Sequence, residues 1–82
     1  MKAIAMHQAS AREAILRRIR VANTGPNGTM NIHQFTQERV NFHGSYFQVA
    51  MDQLIEDGCL EWVNSLPRFI RVTEKGYEEA HA

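Results

Sequence analysis

The chain has 82 residues, nine basic and nine acidic, of which 44% are hydrophobic and 22% charged. That length supports one modest core, read as a single domain over residues 1–82, and is too short for a catalytic cleft between domains. The apolar content argues against a disordered chain, and a formal net charge of zero provides no bulk attraction for nucleic acid.

The N-terminal "MKAIAMHQASA" offers Lys2 and a short apolar run, Ala3–Met6, which His7 and Gln8 break. The run is too short for the apolar region of a signal peptide. Nor does any stretch approach the roughly 20 apolar residues of a membrane helix. Next, "SAREAILRRIRVANTG" opens with a capping-box pattern, Ser10 followed by Glu13. It places Ala11, Ile15, Ile19 and Ala22 at helical spacing, so a first helix is predicted from Ser10 to just before Gly25. "GPNG", residues 25–28, stops it, because Pro26 lacks a donor and glycines favour turns. A short extended piece, Thr29–Met30, is expected to follow.

Asn31, with Gln34 three residues later, is the cap of a short second helix. Ile32, Phe35 and Val40 are its apolar residues and Arg39 its approximate end. "NFHG" reads as a tight turn, and either His43 or Ser45 opens a third helix. There Phe47, Ala50, Met51, Leu54 and Ile55 follow the spacing of one helical face. Gly58 is the stop.

Beyond Gly58 the period becomes two. Leu60 and Trp62 alternate with Cys59, Glu61 and Val63, a bend falls on "SLP", and "RFIRVT" returns with Ile70 and Val72 opposite in direction to Phe69 and Arg71. This is a β-hairpin. Thr73 caps a last helix, "EKGYEEAHA", which Gly76 is expected to weaken. The fold class is therefore α+β: a three-helix core, a two-stranded hairpin and a short C-terminal helix.

The run Leu54-Ile55-Glu56-Asp57-Gly58 and the later Val72-Thr73-Glu74-Lys75-Gly76, in this order of elements, resemble the winged helix-turn-helix domains of the MarR- and PadR-like bacterial regulators. The resemblance covers roughly residues 10 to 80. It implies a transcriptional regulator, homodimeric and cytoplasmic, that reads duplex DNA with its third helix. In that use the N-terminal half of the third helix enters the major groove, exposing Gly44, Ser45, Tyr46, Gln48 and Val49, with His43 at the tip. Gln48 suits an adenine edge, His43 and Ser45 a phosphate or base, and Tyr46 a thymine methyl.

No lysine or arginine lies in His43–Gly58, so phosphate contacts would fall to Arg39, to Arg68 at the hairpin tip and to Arg71 on its outer face. Three contacts per subunit give a log–log salt slope of only about −2.7, so useful affinity requires a dimer. Ile4 and Met6 are the spare apolar residues nominated for that dimer contact. Charge is unevenly spread: residues 1–40 sum to +4 and residues 41–82 to −4. Arg17, Arg18 and Arg20 read as a solvated or partner-facing side of the first helix.

The alternative function is a protein-interaction module without DNA binding, using Trp62, Phe69 and Val49; if Trp62 and Phe69 share a face of the hairpin, they form an aromatic patch. The family often has a basic residue near the position of Trp62, and its replacement here favours that alternative.

His7, His33, His43 and His81 lack carboxylate or cysteine neighbours at ligand spacing, so no metal and no cofactor is expected. No nucleophile motif or phosphate loop occurs, and Cys59 reads as a small core residue, so no enzyme is predicted. A lone cysteine also gives no internal disulfide, which fits a cytosolic protein.

Overall fold

The computed structural model describes residues 2–65 and 68–82, with the stretches 2–8 and 43–44 described as backbone only. In chain order these form helix α1 (Lys2–Val21), strand β1 (Thr29–Asn31), a 3₁₀ turn (Ile32–Phe35), α2 (Thr36–Asn41), α3 (His43–Glu56), β2 (Leu60–Trp62), β3 (Phe69–Val72) and α4 (Glu74–Ala80). The class is α+β, with four α-helices and a small antiparallel sheet of three strands among the described residues. None of these helices is long and apolar enough to cross a membrane.

Helix α1 starts two turns earlier than its capping box indicates, and Ser10 sits exposed in mid-helix. Residues 2–9 contain neither glycine nor proline and three alanines, so the helix propagates through Ser10 instead of nucleating there. Ala11, Ile15, Leu16 and Ile19 are its buried residues. Leu16 widens the expected stripe towards α4, whose Ala80 is also buried.

The extended piece after the "GPNG" turn is a full member of the sheet. Strand order is β1–β3–β2, with Met30 opposite Ile70 on one side of β3 and Trp62 opposite Ile70 on the other. Bonds from Asn27 N–H to the Val72 carbonyl (2.7 Å) and from Val72 N–H to the Gly28 carbonyl (2.8 Å) continue the β1 ladder. The expected two-stranded hairpin is thus corrected to three strands. Its central strand, β3, buries both inward residues, Ile70 and Val72, completely, beside the equally buried Met30 of β1 and Leu60 of β2.

Asn31 caps as its sequence predicts. Its Oδ1 accepts from His33 N–H (2.9 Å), while Gln34 Oε1 accepts from Asn31 N–H (3.0 Å). The segment beyond it differs from expectation in winding and in face. It begins as a 3₁₀ turn, and α2 buries Glu38 (7% exposed) while Val40 is 66% exposed. The reason is the neighbour: Arg18 of α1 donates through Nε and Nη2 to both Glu38 oxygens at 3.1–3.3 Å, so the carboxylate faces α1 with its charge matched. Val40, two residues on, must point away.

Only Phe42 separates α2 from α3. The predicted face of α3 is buried at Phe47, Ala50, Met51 and Leu54, with Ile55 half-buried. Its end is a Schellman motif, with Cys59 N–H on the Leu54 carbonyl (2.9 Å), Gly58 N–H on the Ile55 carbonyl (3.1 Å) and Gly58 at φ +82°. Thr73 then caps α4, accepting from Gly76 N–H at 3.1 Å. The bend expected at "SLP" falls on Leu66 and Pro67, outside the described residues.

Candidate nucleic-acid interface

Because α3 buries its 47–50–51–54 face, the turn geometry of the helix directs Ser45, Val49, Asp52 and Glu56 outward, with Gln48 at the margin. All five are exposed. His43 stands at the N-terminus of α3, but its side chain, like that of Gly44, lies outside what is described. Tyr46 departs from the expected outward position: it is half-buried and packed against the core. Gln48 is not idle either, since its Nε2 donates to Asp52 Oδ1 at 3.0 Å one turn on. The i, i+4 spacing of Gln48 and Asp52 on α3 is what brings these two side chains together.

Arg39, at the end of α2, is exposed, and its guanidinium lies 5.5 Å from the centroid of the Phe47 ring on α3. This cation–π contact places a charge beside the N-terminal half of α3. Arg68 precedes β3, is exposed and has φ +68°. Its carbonyl accepts from Ile32 N–H at 2.8 Å, which ties the end of the hairpin to the start of the 3₁₀ turn. Neither arginine has a carboxylate partner among the described residues.

Arg71 is different. It lies directly across from Glu61 in the β2–β3 register, and its Nη1 donates to Glu61 Oε1 at 2.7 Å. One of the three expected phosphate contacts is therefore already matched by an acid. That pairing follows from register, which no local spacing in the sequence reveals.

Trp62 and Phe69 lie on opposite faces of the hairpin. Trp62 pairs with Ile70 and shares its face, whereas Phe69, one residue earlier, points the other way. The condition for an aromatic patch is not met. Trp62 is 45% exposed and Phe69 half-buried. On α1, Arg17 and Arg20 are exposed as expected, but Arg18 leaves that solvated side to clamp Glu38. Arg17 and Arg20 border an open trough of about 790 Å³ between α1, the end of α2 and the end of α4, which Glu13, Glu38 and Glu79 also line. The side chains of Ile4 and Met6, nominated for a dimer contact, lie outside what is described.

Cys59 is fully buried. Burial first, and the Glu79 carboxylate second, push its thiol above the ordinary value of 9.0, away from the thiolate a nucleophile needs. Among the described residues no three His, Cys, Asp or Glu side chains are grouped to hold a metal ion. No protein-family model matches this chain, and neither a curated protein nor a solved structure matches it.

Proposed function

We propose that the chain is a winged helix that binds duplex DNA as a homodimer and acts as a cytoplasmic transcriptional regulator, with the N-terminal half of α3 in the major groove. In support of the fold, α1, β1, α2, α3 and the β2–β3 hairpin follow one another as in a winged helix-turn-helix, and β1 joins the hairpin on its β3 side. Fold alone does not define function.

The observation that carries the DNA reading is Arg68. A non-glycine residue in the left-handed region costs on the order of 1 kcal/mol. Here that cost holds an exposed guanidinium, with no carboxylate partner among the described residues, at the hairpin end, on the backbone bonded to the start of the 3₁₀ turn. Arg39 supplies a second such charge beside α3. With Arg71 matched by Glu61, two phosphate contacts per subunit remain. They give a salt slope of about −1.8 for a monomer and about −3.6 for a dimer, so the dimer is what makes binding useful.

The test is a salt titration of binding to a mixed-sequence duplex. A slope near the dimer value, lost on R39Q/R68Q, supports the reading; absence of binding at ~50 mM salt removes it. Sedimentation at micromolar concentration showing only monomer removes the dimer.

One observation favours a second reading, a protein-interaction module. Trp62 and Val49 are large apolar side chains at 45% and 37% exposure, and Phe69 no longer belongs with them. Partner binding that is insensitive to salt and lost on W62A is the outcome this reading expects.

A further inference from the structure

We infer that Glu61 competes with DNA phosphate for the Arg71 guanidinium, and so sets the hairpin's affinity for DNA. The inference rests on the DNA-binding reading above. In the alternation of the strands, Leu60, Ile70 and Val72 face the core, which turns Glu61 and Arg71 outward. Arg71 sits in the central strand, between Thr29 on β1 and Glu61 on β2. Among the described strand residues these two are the only charged ones, so the outward face of the sheet sums to zero.

Their contact is short, 2.7 Å, yet the side chains remain 39% and 51% exposed. An exposed pair of this kind holds weakly, by roughly 0–1 kcal/mol, so Arg71 is able to turn to a phosphate. When it does, the Glu61 carboxylate stays directly across the strand pair, close to a second anion. The attraction gained at the phosphate is offset by that repulsion, and no counterion is released on balance. Glu61 therefore acts through Arg71 as a positioning residue that keeps this surface weak and selective for the contacts at Arg39 and Arg68.

Four full-length proteins test this: wild type, E61Q, R71Q and E61Q/R71Q, each titrated with a fluorescent mixed-sequence duplex of ~24 base pairs between ~50 and ~200 mM salt. E61Q is expected to steepen the salt slope by about 0.9 per subunit and to bind on the order of tenfold tighter per subunit at the lowest salt. R71Q should keep the wild-type slope, and the double variant should lose the gain. A merely structural role for the pair would shift stability and leave the slopes alike. E61Q with the wild-type slope overturns the inference while wild-type binding leaves the DNA reading standing. A gain that persists in the double variant also overturns it, because Glu61 would then act without Arg71. If none of the four binds, the DNA reading falls and takes the inference with it.

Discussion

Gly76 of α4 lies so close to Cys59 that a β-carbon on it would overlap the Cys59 carbonyl oxygen. The weak helix former in α4 is there to let the helix dock where α3 hands over to β2. Around it Thr73 accepts from Gly76 N–H (3.1 Å), and its hydroxyl lies 2.6 Å from the Gly58 carbonyl oxygen and 3.0 Å from that of Cys59, donating to this pair. Helix propensity alone favours G76A by about 1 kcal/mol. Overpacking against a backbone carbonyl costs about 1–3 kcal/mol, and with a carbonyl oxygen that has no room to give the upper part of that range should outweigh the gain. G76A is therefore expected to melt lower, whereas E78A, on the exposed side of α4, should change little. A melting temperature for G76A at or above wild type would show that α4 can move away freely.

The Cys59 thiol should be silent in the native state. A folded pKa raised above the ordinary 9.0 means that folding favours the protonated thiol. This contribution is fully present below pH 9.0 and is lost as pH rises through the folded value. Labelling by a disulfide reagent at pH 8 should proceed only as fast as the chain opens. Between pH 9 and 10 the wild type should lose stability faster than C59A, in which that titration is removed. Rapid, stoichiometric native labelling would contradict the burial.

Arg18 and Glu38 should couple strongly across α1 and α2. The Glu38 side chain is 10% exposed and Arg18 35%. R18M strands a buried carboxylate and is expected to cost about 2–3 kcal/mol, less than a fully dry pair because water reaches the arginine. E38M should cost about 1 kcal/mol, since Arg18 can hydrate. The double variant R18M/E38M should recover most of the loss, giving a coupling of at least about 1 kcal/mol in urea denaturation. Additive losses would mean that the pair is only a surface contact.

Arg68 should separate stability from binding. R68G relieves the positive-φ strain and is expected to leave stability unchanged or raise it by about 0.5–1 kcal/mol. In the same protein the DNA salt slope should shallow by about 0.9 per subunit. Thermal melts and anisotropy titrations on one preparation measure both. A variant that is destabilised and binds DNA unaltered would make the arginine a folding residue.

The amino-acid sequence by itself determined the order of elements from the first helix to the last, the Asn31 and Thr73 caps, the Gly58 stop and the buried face of α3. Each depends on residues within a few positions of one another, and the backbone rules that govern them act over that range. It also nominated Arg39, Arg68 and Arg71 as the bases of the candidate interface, of which Arg39 and Arg68 are exposed and Arg71 is paired with Glu61.

What only the tertiary structure decided is which of these side chains meet. Glu38 replaces Val40 inside because Arg18 stands opposite on a different helix. A third strand joins the sheet, and the β2–β3 register sends Trp62 and Phe69 to opposite faces while setting Glu61 against Arg71. Register and helix rotation are fixed by contacts between residues far apart in the chain, where a shift of one position exchanges the two faces of a strand. Local pattern therefore located the candidate interface, and long-range packing decided which of its charges remain available.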